Sequence, residues 1–443
     1  MPTINQNPAY NLKVVLRETG LNAAVLRAWE RRYGLPTPKR TPGGHRLYSQ
    51  SDIETLKWLM ARQAEGLSIS RAVAQWKEMT TPESNPFFEA QQTSKYSSLN
   101  IVAPPDASLE IFRRSWLEAC LAFDEVAADQ ALNQAFSLYP VEKVCTEVLQ
   151  RGMSDMGEKY YRREASVQQE HFASALAMRR LDMLIAATPP PTRLHTILVG
   201  CPPDEWHTFS VLLLSLLLRR RGLEVVYLGA NIPAEQLEET AVAIQPDLIV
   251  LVAQQLTTAA KLLPIALVLK EKGIPLAYGG RIFNQVPEIR QHIPAHFLGE
   301  SIDIAVRTAE QLALAPSPVP ETTKLDESQR ERISLYREQR PLIEMALFET
   351  LLERNLPTEH IDTANYFLGN ALTAALELGE VAYLTVDIDW LHGLLTARNI
   401  RPDRIIPYLD AYGSAVCRVL GEHSTPIAEW LDTYTAQHSP KSQ

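Results

Sequence analysis

The sequence predicts a multidomain chain of α and α/β type in four blocks: a small helix-turn-helix with a wing, a helical bundle, a doubly wound parallel α/β domain, and a C-terminal helical domain. Three observations carry this. Charge is uneven: residues 1–80 hold 12 Lys and Arg against 6 Asp and Glu, so a net charge of −9 over 443 residues leaves −15 on the rest. Apolar residues recur at helical spacing in residues 109–188, give way to short apolar runs in 192–314, and return to helical spacing in 328–443, the change expected when buried strands alternate with helices. Stretches rich in Pro, at 81–108 and 315–327, break both periods and read as linkers.

Composition limits the function classes. At 46% hydrophobic and 21% charged residues the chain is globular. No apolar run reaches the roughly 18 residues that span a bilayer, and the N-terminus shows no secretion signal, so a cytoplasmic protein without membrane contact is expected. Cys120, Cys145, Cys201 and Cys417 are scattered without a CxxC pair, which argues against a zinc ribbon or a disulfide framework. They are expected to be buried.

In the basic block, Leu12 to Glu18 predicts a short helix, Thr19-Gly20 a turn, and Asn22 the cap of a second helix ending near Tyr33. That second helix carries Arg27, Arg31 and Arg32 at helical spacing, with Trp29 and Tyr33 among them. Next come Lys39, Arg40, Thr41, Gly43, Gly44, His45 and Arg46, a basic hairpin that leads into Tyr48. Such an arrangement puts cations where the phosphates and groove edges of double-stranded DNA would lie. The pattern TG-x4-LRxWERRYGLPxPxRTxxGxRxYSxxD resembles the DNA-binding domain of the MerR family. The resemblance implies that the second helix enters the major groove and that the wing follows the backbone. It assigns these roles to Arg27, Trp29, Arg31, Arg32, Tyr33, Lys39, Arg40, Thr41, His45, Arg46 and Tyr48. The long dimerisation helix usual in that family is not expected, because the helix at Ser70–Met79 stops at Thr80-Thr81-Pro82. A homo-oligomer, dimer or tetramer, would then form through other surfaces.

In the alternating block, the runs HTILVG, EVVYLG, DLIVLV, PLAYGG and AHFLG predict five parallel strands. Glu205, His207 and Ser210 follow the first of them, where parallel sheets bind ligands. His207 could offer one ring nitrogen to a transition metal while Glu205 accepts a hydrogen bond from the other. On the residues alone, an ordinary hydrogen-bonded loop histidine is the commoner reading of this spacing. The ExHxxS pattern resembles the DxHxxG motif of cobalamin-binding domains, and Gly279-Gly280 and the LGE at 298–300 match later parts of the same family. The likeness implies that His207 is the cobalt ligand and that the two glycines let the backbone approach the cofactor tail. Glu205 for Asp, Ser210 for Gly, and Val252 for a tail-contacting Ser are departures.

The helical block, with QQEHFASALAMRRL, is similar to the cap over the upper face of cobalamin. From residue 8 to about 312 the order of parts resembles the CarH and LitR group of light-responsive repressors, which implies adenosylcobalamin as cofactor. In that group a Trp-x9-Glu-His pattern encloses the adenosyl group, and a His after the Trp binds cobalt in the light state. Here Glu170-His171 matches, Tyr160 replaces the Trp and Tyr161 the ligating His, which leaves His171 as the nearest alternative ligand. Residues 328–443 have no counterpart in the shorter members of the group. They are expected to act in assembly or to bind a second chromophore, a bilin, as in photocobilins, and a chain ending at Pro320 is expected to keep cobalamin. The resulting expectation is a cobalamin-dependent, light-responsive transcriptional regulator, not an enzyme. A cobalamin or bilin sensor without photolysis, or a corrinoid methyltransferase component, is the alternative.

Overall fold

The computed structural model describes residues 10–19, 21–41, 46–64, 69, 73, 108–397 and 404–438. The chain divides into two compact units, Met1–Asp106 and Ala107–Gln443.

The first unit runs β1 (Tyr10–Asn11), α1 (Leu12–Thr19), α2 (Ala23–Tyr33), β2 (Lys39–Arg40), β3 (Arg46–Tyr48) and α3 (Gln50–Ala64). The Asn11 side chain accepts the Val14 N–H at 3.1 Å and starts α1. The Asn22 carbonyl accepts the Leu26 N–H at 3.0 Å, so α2 begins where its cap residue predicts. Antiparallel pairing in the order β1-β3-β2 builds the wing. Its third strand, β1, is too short to read from periodicity. Ser49 and Asp52 cap α3 reciprocally, each receiving the other's backbone N–H, at 2.8 and 3.1 Å. Val15, Leu26, Trp29, Tyr48, Ile53, Leu56 and Leu59 form the core. Apart from Val73, the helix expected at Ser70–Met79 lies outside the described residues, as do the hairpin tip and His45.

The second unit opens with α4 (Leu109–Leu121), α5 (Glu125–Leu138), α6 (Val141–Val144), a π-helical turn (Cys145–Gln150), α7 (Arg151–Tyr161) and α8 (Val167–Ala186). The alternating part follows: β4 (Thr196–Gly200), α9 (Phe209–Arg220), β5 (Glu224–Gly229), α10 (Ala234–Ile244), β6 (Leu248–Val252), α11 (Leu256–Glu271), β7 (Leu276–Gly279), α12 (Arg281–Gln285), β8 (His296–Phe297) and α13 (Ile302–Leu314). All five expected strands are present. They pair in parallel in the order β5-β4-β6-β7-β8, which puts the switch point between β4 and β6. Helix α9 is buried continuously from Val211 to Leu218. It packs on β4 and β5, on α13 and on the cap helix α8, and a helix covered on all sides has no polar face to keep.

The last part is α14 (Glu327–Glu353), α15 (Ile361–Glu377), α16 (Thr385–Ala397), α17 (Ile405–Leu420) and α18 (Thr425–His438). Inside it the Tyr336 and Tyr412 hydroxyls meet at 2.7 Å in a buried pair. The prolines of 315–327 prevent helix there but do not separate two bodies. Thr323 N–H donates to the Gln291 carbonyl at 2.9 Å, and the His296 ring lies 3.2 Å from the Ser317 carbonyl, so this stretch lies along the sheet domain. One hydrophobic core contains Leu251, Leu256 and Tyr278 together with Leu347, Leu372 and Tyr412, and α15 packs on α11. A Cys expectation also needs correction: Cys120, Cys145 and Cys201 are buried, whereas Cys417 is exposed. Among the described residues no helix is long and apolar enough to cross a membrane.

This shared core reverses the expected behaviour of a shortened chain. Ending the protein at Pro320 strips the α15 side from α11 and leaves apolar residues facing water, so the product should be recovered associated or insoluble. A monodisperse truncated protein with the thermal midpoint of full length would contradict this.

Candidate functional site

On the first unit, α2 exposes Arg27, Arg31 and Arg32, and β2 exposes Lys39. Tyr33 is half-buried with the Arg32 guanidinium 5.6 Å from its ring centre, and Thr41 is half-buried at the end of β2. Two residues assigned to DNA contact are placed otherwise. Trp29 lies one helical turn beyond Leu26 and is buried beside it, and Tyr48 is fully buried. Both belong to the core beneath α2 and the wing. The link between α2 and the wing is Glu30, which the sequence reading passed over: its carboxylate accepts the Arg46 Nε–H at 2.9 Å and the Tyr48 hydroxyl at 2.5 Å. Burial, then the Glu30 bond, holds the Tyr48 phenol well above its ordinary pKa. Glu30 thus ties α2 to the wing and anchors Arg46.

On the second unit, the loop after β4 carries the other constellation. The Asp204 N–H donates to the Asn231 side chain at 2.8 Å and the Asn231 N–H to the Glu205 carbonyl at 3.0 Å, which fastens this loop to the one after β5. Lys261 of α11 pairs with the Asp204 carboxylate. The Glu205 side chain is fully buried yet has four donors. Its Oε1 accepts the His207 N–H at 3.0 Å and the His207 Nδ1–H at 2.7 Å. Its Oε2 accepts the Gln254 N–H at 2.7 Å and the Thr258 hydroxyl at 2.8 Å. Burial pushes the carboxyl pKa up, but these bonds outweigh it and the net shift is downward. The bond to Glu205 raises the His207 pKa against the opposing effect of burial; Arg281 lowers it and Glu170 raises it.

The His207 side chain stays 62% exposed. With Nδ1 committed to Glu205, Nε2 is the nitrogen with a lone pair for a metal, in a fixed tautomer. Ser210 lies in the first turn of α9, half-buried, and Val252 is buried at the end of β6, opposite Gly279 in register. The two glycines differ. A Cβ on Gly280, whose φ is +127°, would sit 1.8 Å from the Ala253 carbonyl oxygen, so the protein's own backbone demands glycine there. A Cβ on Gly279 would be 3.8 Å from Leu298, an ordinary contact.

The cap residues do not gather as the resemblance implies. Tyr160 is half-buried at the end of α7. Tyr161 turns to α16, where its ring centre is 6.4 Å from that of Trp390. Glu170 lies close enough to His207 to act on it, whereas His171 is mostly exposed with Nε2 3.7 Å from Glu170. Among the described residues no three His, Cys, Asp or Glu side chains group as a metal site. Any metal held here rests on His207 and on ligands that the metal brings with it.

Family models match stretches of both units. Residues 10–74 match the MerR HTH family regulatory protein model, and residues 113–185 and 195–306 match two B12 binding domain models. The HTH-type transcriptional repressor CarH of Myxococcus xanthus is 32% identical over 302 residues, 66% of this chain and 95% of the relative. CarA, a repressor of the same organism, is 33% identical over 243 residues, 54% of this chain and 75% of its own. A monomethylamine corrinoid protein of Methanosarcina barkeri overlays 46% of this chain and all of its own at 18% identity, with a TM-score of 0.40.

Glu30 offers a test of the first constellation. Glu30→Ala leaves the buried Tyr48 hydroxyl without its acceptor and frees Arg46, so it should cost about 1–3 kcal/mol in unfolding of the first unit and weaken DNA binding through the misplaced wing. Denaturant melts and a binding titration check both; an unchanged melt would show that Glu30 is not the tie.

Proposed function

The chain belongs to the MerR-type transcriptional regulators that carry a B12-binding sensor, and from that premise we propose that it binds adenosylcobalamin between cap and sheet and changes its hold on operator DNA in light. The observation that carries this reading is the His207 ring, pinned through Nδ1 by a buried carboxylate and exposed at the switch point of the sheet. Bound adenosylcobalamin supplies a cobalt–carbon bond that visible light breaks.

The chain's own residues divide the remaining work. His207 holds the metal from the sheet side, and Glu205 keeps its tautomer and orientation. Gly279 leaves room for a close backbone approach, and Ser210 and Val252 line the same end of the sheet. Glu170 approaches from the cap, with Tyr160 replacing an indole. Tyr161 serves the contact with α16 instead of ligating cobalt. The exposed Arg27, Arg31, Arg32 and Lys39, with Arg40, Thr41, His45 and the anchored Arg46, meet DNA, while Trp29, Tyr33 and Tyr48 shape the surface that presents them.

Paired DNA-binding units require self-association. The exposed side chains Leu342, Met345, Phe348 and Leu352 follow one another along α14 at helical spacing, beside exposed Tyr366 and Phe367 of α15. We assign the self-contact to this face. Phe348→Glu should lower the mass measured by light scattering and leave cobalamin uptake unchanged; an unaltered mass would move the contact elsewhere.

The whole reading is tested on a duplex selected by the full-length protein from a random DNA pool. Protein loaded with adenosylcobalamin in the dark should change its affinity for that duplex on green illumination by about 5- to 150-fold. His207→Ala should lose the histidine-ligated spectrum and the light effect together, and Glu205→Gln should weaken cobalamin retention by about 10- to 100-fold. Light-independent binding by the loaded protein, or a histidine-ligated spectrum in His207→Ala, would refute it.

A further inference from the structure

Helix α16 is tied both to the core that the sheet shares with the C-terminal block and to the cap helix α7. On the sheet side, Ile388 belongs to the core shared by the sheet and the C-terminal block. On the cap side, Trp390 meets the Tyr161 ring, the two planes inclined by 37°. Gly393 lies directly under the same phenol: a Cβ there would fall 1.6 Å from the Tyr161 hydroxyl oxygen and 2.8 Å from Cζ. A glycine within a helix costs about 1 kcal/mol relative to alanine, and Gly393 is not among the positive-φ glycines. Its use here is the notch that admits Tyr161. Tyr161 ends α7, and the next cap helix, α8, carries Glu170, which acts on His207. On the sheet side, Arg281 follows Gly280 and acts on both His207 and Asp387 of α16, whose carboxyl is raised by burial against that charge. A hydrogen-bonded link runs the same way, because Gln254 donates its N–H to the Glu205 carboxylate and accepts the Arg281 N–H on its side-chain oxygen at 3.0 Å.

We propose that α16 is a latch on the cobalamin crevice: the Tyr161 hydroxyl seated in the Gly393 notch holds the cap and the C-terminal block together over the face opposite His207, and that face opens to solvent when the contact parts. The proposal rests on the cobalamin reading above and adds to it a role for the C-terminal block. It also accounts for the side chain standing where the resemblance expects a second cobalt ligand.

The test follows upper-ligand exchange by absorbance. Full-length protein loaded with hydroxocobalamin is mixed with excess cyanide, and the rate of ligand replacement is measured. The obstructing atom at Gly393 is the far end of a side chain that can swing away, so Gly393→Ala should fold and eject the phenol. Gly393→Ala and Tyr161→Ala should each speed exchange about tenfold by admitting solvent. The double variant should be no faster than either single one, since both break one contact. Exchange at the wild-type rate in Gly393→Ala overturns the latch, as does a double variant whose acceleration is the product of the two. If Gly393→Ala does not fold, Tyr161→Ala removes the same contact without adding an atom, and a wild-type rate there overturns the proposal equally. Failure of the wild-type protein to take up hydroxocobalamin at all refutes instead the reading beneath it, and shows before any variant is compared.

Discussion

The Glu205 carboxylate is a buried charge, and the order around it follows from the need to satisfy it. An unpaired carboxylate taken out of water costs several kcal/mol, whereas this one has donors from the His207 backbone and ring, from Gln254 and from Thr258. Those groups come from the loop after β4 and from the start of α11, two sides of the switch point. Their convergence sets the loop, the first turn of α11 and the His207 ring in one arrangement before any ligand arrives. A histidine presented this way loses little freedom on binding a metal. Glutamate is one methylene longer than the aspartate of the DxHxxG motif, and here it still closes a ring to Nδ1 at 2.7 Å.

A second carboxylate does comparable work in the first unit. Glu30 joins recognition helix and wing through one cation and one phenol, and so converts two exposed-looking residues of a basic pattern into an anchored arginine and a core tyrosine. The two units therefore share a device: an acid that is hardly exposed positions a more exposed cationic or imidazole side chain.

How far the sequence revealed this depends on the reach of each interaction. The bounds of α2, the five strands and the loop bearing Glu205 and His207 were legible because caps, apolar runs and motifs are local. Gln254 and Thr258 were not, since they meet Glu205 only after the sheet has formed. Trp29 could have been placed correctly: it falls three residues after Leu26, on the inward stripe, and its place among arginines obscured that spacing. Glu30 read as one more charge on a solvated helix. The stretch 315–327 was misread for a different reason. Prolines there establish that the chain is extended, not that it is free: its Thr323 N–H bonds to the Gln291 carbonyl and its Ser317 carbonyl meets the His296 ring, which holds it along the sheet domain. Tyr161 shows the limit of a motif, because the partner that turns it aside lies in a block outside the pattern.

The core common to α11 and α15 also bears on biosynthesis. The residues that cover α11 are made about one hundred positions after it, and at roughly 5–20 residues per second a ribosome needs some 5–20 s to supply them. Throughout that interval the nascent sheet domain carries an apolar flank with nothing to cover it. Burial of that flank thus waits on the last quarter of the chain, which is made after both α2 and the loop that bears His207.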